Sequence, residues 1–387
     1  MKYVICTILS AMLLLPTVFP MLASAEEMMT GLTAAEIVAQ MGLGWNLGNT
    51  FDATGGNTAD VYSQEQSWGN PRVDAALIKR VKAAGFKTIR IPVTWQRHLS
   101  KDGSYTINPA FLARVKEVVD MAYDEGLFVI INLHHEAWVN DRNLDTKYEQ
   151  IGVQLSAVWR QLADAFADYD QHLIFEGMNE PRMQGSAAEW NGTKEGIAAV
   201  NYLNQVFVNT IRTDAKGYNA ERALMIPGYA ASSSSAVMAA IQLPQWNGAT
   251  AENIIVSVHC YTPYDFCLSD AMTNFNRLYT SHTTPIDMIY YSLKGLFLSK
   301  GIPVVMGESS ATFKDNDPAR AQWAYYMGMK AATYGIPICI WDNGHNGNSG
   351  GECHAWINRR NDTPIHQEVL EALFEGAASV EWGYANK

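Results

Sequence analysis

The chain has 387 residues, 39 acidic against 28 basic, for a formal charge of -11, and 48% of its residues are hydrophobic. That negative balance argues against nucleic acid and anionic lipid as partners and suits a neutral one. Eleven tryptophans are many for this length, and core filling is the plain explanation for most of them.

The chain opens with Lys2, an apolar run from Val4 to Leu22 and then Ala23-Ser24-Ala25. This charge, apolar core and small-residue site read as a secretory signal over residues 1–25, with the mature protein spanning 26–387. Pro16, Pro20 and the small-residue site argue against an uncleaved anchor helix. No later run is long enough to span a bilayer, so a secreted protein, extracellular or periplasmic and off the membrane after cleavage, is expected. Cys6 leaves with the signal. Cys260, Cys267, Cys339 and Cys353 could form up to two bridges, but buried free thiols are expected.

Eight short β-rich runs then follow in order: Gly42–Leu47, Phe86–Ile91, Leu127–Leu133, Leu173–Met178, Ala223–Ile226, Asn253–His259, Ile302–Gly307 and Ile336–Trp341. Segments with helical apolar spacing separate many of them: Val73–Ala84, Pro109–Glu125, Glu149–Ala167, Ile197–Lys216, Pro285–Lys300 and Pro318–Tyr334. Gly85, Gly126, Gly301 and Gly335 stand where a glycine caps a helix before the next run. No stretch has the composition of an interdomain linker. Regular alternation implies parallel strands with crossover helices, so the expected fold is α/β, a single (β/α)8 TIM barrel.

In such a barrel the functional groups sit at the C-terminal ends of the strands. The polar residues there are Asn46, Asn49, Arg90, His134, His135, Asn179, Glu180, Tyr229, His259, Tyr261, Glu308, Trp341, Asp342 and Asn343. Two of these runs deliver glutamates, Phe175-Glu176-Gly177-Met178-Asn179-Glu180-Pro181 and Val304-Val305-Met306-Gly307-Glu308. Two carboxylates facing each other across a pocket can hydrolyse a glycosidic bond, one protonating the leaving oxygen while the other attacks or activates water. The acid must hold its proton, and the second carboxylate together with partial burial is expected to raise its pKa.

Gly44-Trp45-Asn46-Leu47-Gly48-Asn49-Thr50, Ser67-Trp68-Gly69-Asn70-Pro71, Ile89-Arg90-Ile91-Pro92-Val93-Thr94-Trp95, Leu133-His134-His135-Glu136, Asn179-Glu180-Pro181, His259-Cys260-Tyr261 and Gly307-Glu308 occur in this order. In that order the chain resembles glycoside hydrolase family 5, and its opening motifs look like the branch with endoglucanases and xyloglucan-cleaving enzymes. The resemblance implies Glu180 as acid/base and Glu308 as nucleophile. It also implies Arg90 and Tyr261 oriented on the nucleophile, His134 and Asn179 shaping the subsite at the cleavage point, and His259 placing the carboxylates. Trp341 is the expected sugar platform, and His135, Asn46, Trp138 and Trp68 are candidate substrate contacts. Trp190 is a further loop candidate.

Glu176, four residues before Glu180, is expected to be a buried hydrogen-bonded acid. A metal on His134-His135-Glu136 is not expected, because neighbours on a strand face opposite ways and no thiolate cluster or His-Glu-x-x-His helix is present. The expected protein is thus a cofactor-free, metal-free, monomeric, retaining endo-β-1,4-glucanase acting on a β-1,4-linked polysaccharide. A β-mannanase or xylanase on the same scaffold, or a non-catalytic glycan-binding protein, are the alternatives.

Overall fold

Eight parallel strands close on one another: β1 Gly44–Asn46, β2 Thr88–Ile91, β3 Phe128–Asn132, β4 Leu173–Glu176, β5 Leu224–Ser232, β6 Ile254–His259, β7 Val304–Ser309 and β8 Ile338–Ile340. Each pairs with the next in sequence, and β8 pairs with β1 to complete the barrel. This computed structural model describes residues 28–347, 352–383 and 385. The expected signal segment at 1–25 lies outside the described residues.

Each strand leads into a crossover helix: α1 Ala75–Ala83, α2 Pro109–Tyr123, α3 Leu144–Ala165, α4 Lys194–Arg212, α5 Ser235–Ala239, α6 Thr280–Leu296, α7 Asp317–Tyr334 and α8 Gln367–Ala378. The expected caps are realised: Gly301 and Gly335 adopt φ of 74° and 65°, the left-handed region that costs a glycine least. The periodicity did not single out α5, α8 or a helix before β1, Ala34–Met41, which is started by a capping box in which Thr33 and Glu36 bond each other's backbone N–H.

That early helix matters because of what it closes. Side chains alternate along a strand, and one inward layer is apolar: Ile130, Ile174, Met225, Ile255, Val305 and Cys339, sealed from below by Ile37, Val38 and Met41. Each fully buried side chain of this kind contributes about 1.5 to 3 kcal/mol of transfer free energy. Two residues further along the strands, the inward positions become Asn46, Arg90, Asn132, Glu176 and Ser257, all buried. The other strand faces meet the helices through residues such as Trp45, Ile89, Ile131, Phe175 and Val258.

A bulge interrupts this alternation where it counts. Val258 pairs with Met306 but the next residue, His259, pairs with Glu308, which leaves Gly307 as an extra residue in β7. Val305 is inward, so strict alternation would turn Glu308 out toward the helices. The bulge re-aims it into the barrel mouth.

Cys260, Cys267 and Cys339 are buried free thiols, and Cys353 is buried too. Among the described residues no helix is long and apolar enough to cross a membrane.

Candidate active site

Arg90 occupies the centre of the polar layer, fully buried on β2. Its Nε donates to Glu176 Oε2 at 2.7 Å, Nη1 to Glu308 Oε1 at 2.8 Å and to Asn46 Oδ1 at 3.0 Å, and Nη2 to Asn179 Oδ1 at 2.8 Å. Glu176 also accepts from Asn132 Nδ2 at 3.0 Å and Ser257 Oγ at 2.8 Å. Burial pulls the Arg90 pKa down, but the Glu176 and Glu308 carboxylates raise it further, so the guanidinium stays charged. Glu176 is thereby the buried, hydrogen-bonded acid that was expected.

Above this layer lie the two other carboxylates. Glu308 receives Arg90 on one oxygen and the Tyr261 hydroxyl on the other, at 2.9 Å, with His134 Nε2 3.9 Å away. Burial, then the Glu308 charge, keeps the Tyr261 pKa far above its ordinary value, so the phenol remains a donor. Glu180 stands on the loop after β4, with Oε1 2.7 Å from His259 Nδ1 and Oε2 3.3 Å from Arg182 Nη1. One oxygen of each carboxylate and a nitrogen of His259 all lie within 4.8 Å of one another. Glu180 is the more open of the two, its side chain 19% exposed against 7% for Glu308.

The electrostatics depart from the sequence expectation. Burial does push the Glu180 carboxyl up, but the His259 hydrogen bond and the charges of His259 and Arg182 pull it down further, to below its ordinary value. Burial likewise lowers the His259 pKa, and the Glu308 and Glu180 carboxylates lift it above ordinary. The two shifts favour an ionised Glu180 paired with a protonated His259 across the 2.7 Å contact. His259 Nε2 is buried without a hydrogen-bond partner among the described residues.

Asn46 is not a substrate contact. It is fully buried, its amide donates to the carbonyls of Gly307 and Cys339 at 2.9 and 3.0 Å, and its oxygen accepts from Arg90. Every polar atom is spent holding Arg90 and the β7 bulge. Trp341 is largely covered, 7% exposed, with its ring parallel to that of His134 at 5.8 Å. Trp138 is half-buried, its indole N–H bonded to Glu136 at 2.6 Å. Trp68 is 41% exposed, tilted against His135 at 5.9 Å. Tyr229 is buried and acts on the fold, accepting from Met183 N and donating to Ala188 O.

His134 and His135 also depart from the sequence expectation. β3 ends at Asn132, so strand alternation no longer applies, and the two rings lie 4.4 Å apart. With Asp52, a residue that no sequence pattern singled out, they bring three ligand-type atoms within 4.8 Å of one another. The alternation argument against a shared ion therefore fails. Asp52 already accepts from the N–H groups of Asn49 and Thr50, at 2.9 and 2.6 Å. Burial raises its pKa while His135 lowers it. Arg182 was missed too, although a cation two residues after Glu180 was a visible signal.

Residues 48–347 match the family described as cellulase (glycosyl hydrolase family 5). Endoglucanase B of Neocallimastix patriciarum is 38% identical over 356 residues, covering 91% of this chain and 73% of that protein. Endoglucanase B of Ruminococcus albus is 42% identical over 341 residues, covering 87% of this chain and 78% of that protein. A solved structure of a GH5-4 broad specificity endoglucanase from Ruminococcus flavefaciens superposes with a TM-score of 0.83 at 41% identity, covering 90% of this chain and 99% of that one. The chain belongs to glycoside hydrolase family 5.

Proposed function

We propose that this family 5 glycoside hydrolase is a secreted, retaining endo-β-1,4-glucanase acting on cellulose-like or xyloglucan chains, with Glu308 as nucleophile and Glu180 as acid/base. The observation that carries the reading is the carboxylate pair: oxygens within 4.8 Å, one group held by Arg90 and Tyr261, the other on His259. Retaining glycosidases keep their two carboxyl groups roughly 5 to 5.5 Å apart, whereas inverting enzymes leave room for a water between them. The endoglucanase names of the relatives and the acidic chain support a neutral β-glucan as substrate.

In the first step Glu308 attacks the anomeric carbon while the glycosidic oxygen departs with a proton from Glu180, which lies 2.7 Å from His259 Nδ1. Arg90 and Tyr261 hold the attacking carboxylate by one hydrogen bond on each oxygen. Formation of the glycosyl ester cancels the Glu308 charge, which removes the anion beside Glu180 and leaves it ready to accept a proton. Glu180 then takes a proton from water, whose oxygen attacks the same carbon, breaks its bond to Glu308, frees that carboxylate and restores the original configuration. Asn179, held by Arg90 at its oxygen, keeps its amide N–H groups for the sugar 2-hydroxyl.

Proton NMR of the first product tests this: the β-anomer is expected, and an initial α-anomer overturns the retaining mechanism. A product profile on cellulose derivative, xyloglucan, mixed-linkage glucan, mannan and xylan tests the substrate, with β-glucans expected to turn over fastest. Turnover is expected to persist in excess chelator.

A further inference from the structure

We propose that Arg182 is a positioning residue that couples the acid/base glutamate to a sugar platform on the leaving-group side, Trp190. This rests on the glycosidase reading above. The Arg182 guanidinium donates through Nη1 to the Glu180 backbone oxygen at 3.0 Å and to Oε2 at 3.3 Å, and through Nε to Glu189 Oε1 at 3.2 Å. Its Cζ lies 4.6 Å from the centre of the Trp190 ring. One planar cation therefore touches the carboxylate that handles the proton and the indole ten residues later.

The loop is built to hold that arrangement. Glu189 Oε2 accepts from Gly185 N at 2.8 Å, and the Tyr229 hydroxyl bridges Met183 N and Ala188 O at 2.9 and 3.1 Å. Trp190 is nevertheless 59% exposed. A ring that large, pinned on one side by a guanidinium and open on the other, offers the flat apolar surface that covers a pyranose. Its tether decides which sugar it meets. Glu180 protonates the leaving oxygen, so a platform tied to Glu180 stands where the departing sugar lies. Trp341 lies instead against His134, which stands 3.9 Å from Glu308.

The coupling has an electrostatic side as well. Glu180 faces His259 and Tyr261 from the end of β6 and Glu308 from β7. The charge of His135, after β3, also acts on it, and Glu352, after β8, feels its charge. Arg182 adds a permanent cation to this set and favours the ionised form of Glu180. It prepares the group for the base step while presenting the ring that receives the leaving sugar.

The test uses the full chain with Arg182→Ala, Arg182→Lys and Trp190→Ala, each checked by thermal melting. Kinetics are read on cellohexaose and on 2,4-dinitrophenyl cellobioside, whose aglycone leaves without a proton. On cellohexaose, Arg182→Ala is expected to move the basic limb of the kcat/KM profile to higher pH, because that limb marks loss of the acid's proton. KM should also rise about tenfold, the scale of one good aromatic contact. Trp190→Ala should raise KM alike with the limb unmoved, and on the aryl cellobioside, whose aglycone needs no proton, the limb shift of Arg182→Ala should be absent. Arg182→Lys should restore the limb but not KM, since an ammonium keeps the charge without the stacking plane. A folded Arg182→Ala with the parent's limb and KM overturns the coupling. If that variant does not fold, the Lys variant decides: parental KM overturns the stacking role. Failure of the unsubstituted chain to hydrolyse any β-1,4-glucan overturns the functional reading instead.

Discussion

The two ends of the barrel interior are built from the same strands and solve opposite problems. At the N-terminal end, Ile130, Ile174, Met225, Ile255 and Val305 interdigitate above the helix Ala34–Met41, and apolar packing holds them. Two residues on, the same strands present Asn132, Glu176, Ser257 and the Gly307 bulge around Arg90, and hydrogen bonds hold those. Burying a charged layer is costly unless every group is paired. Here the cost is offset because Arg90 reaches four acceptors and Glu176 three donors. The apolar end therefore serves as a rigid base, and the polar end holds the carboxylates at fixed spacing.

The largest expected effect separates the two carboxylates above that layer. Glu180→Ala and Glu308→Gly should each lose about ten thousandfold in kcat on natural substrate, the upper scale for a lost acid/base or nucleophile. With an activated aryl glycoside, azide should rescue Glu180→Ala and give the β-glycosyl azide, and rescue Glu308→Gly and give the α-glycosyl azide. The opposite products would exchange the two roles.

One layer down, Arg90→Met removes the cation between two buried carboxylates. Denaturant unfolding should show a loss of about 3 to 5 kcal/mol, and turnover should collapse with it. At the other end, Ile174→Ala should cost a comparable 2 to 5 kcal/mol or so, yet leave kcat near that of the parent at temperatures where the fold survives. Equal kinetic damage from both variants would break the division between the two ends.

The smallest effect is a pH dependence confined to the polar end. Glu136, after β3, is fully buried, and burial pushes its pKa up to about 7 against hydrogen bonds from Trp95 N and Trp138. A carboxyl raised in the folded state gives full stability below its ordinary pKa of 4.5 and loses it as pH rises through about 7. The melting temperature of Glu136→Gln should therefore gain on the parent's as pH rises from about 4.5 to about 7, and the gain should level off above that. A constant difference from pH 5 to 8 would show that Glu136 does not titrate in the fold.

The barrel was legible because its signals are local. Apolar runs of strand length, helical spacing between them and capping glycines such as Gly301 and Gly335 each depend on a few neighbouring residues, and eight repeats left little choice of fold. The motif order likewise pointed to the residues that gather at one mouth. The helices Ala34–Met41 and Gln367–Ala378 were less visible, being short elements at the margins of the repeat.

What the chain alone determined, then, was the strand count, the order of the motifs and the identities of the polar residues at the strand ends. Only the tertiary structure decided where those residues point and how they titrate. Alternation governs facing within a strand and stops at its end or at a bulge. For that reason Glu308 turns inward past Gly307, His134 and His135 share a side, and Asn46 sits beneath Arg90 instead of meeting substrate. The proton on Glu180 is set by His259 from another strand and Arg182 from its own loop. Electrostatic coupling falls off with distance in space, and distance in space between remote segments exists only once the barrel has closed.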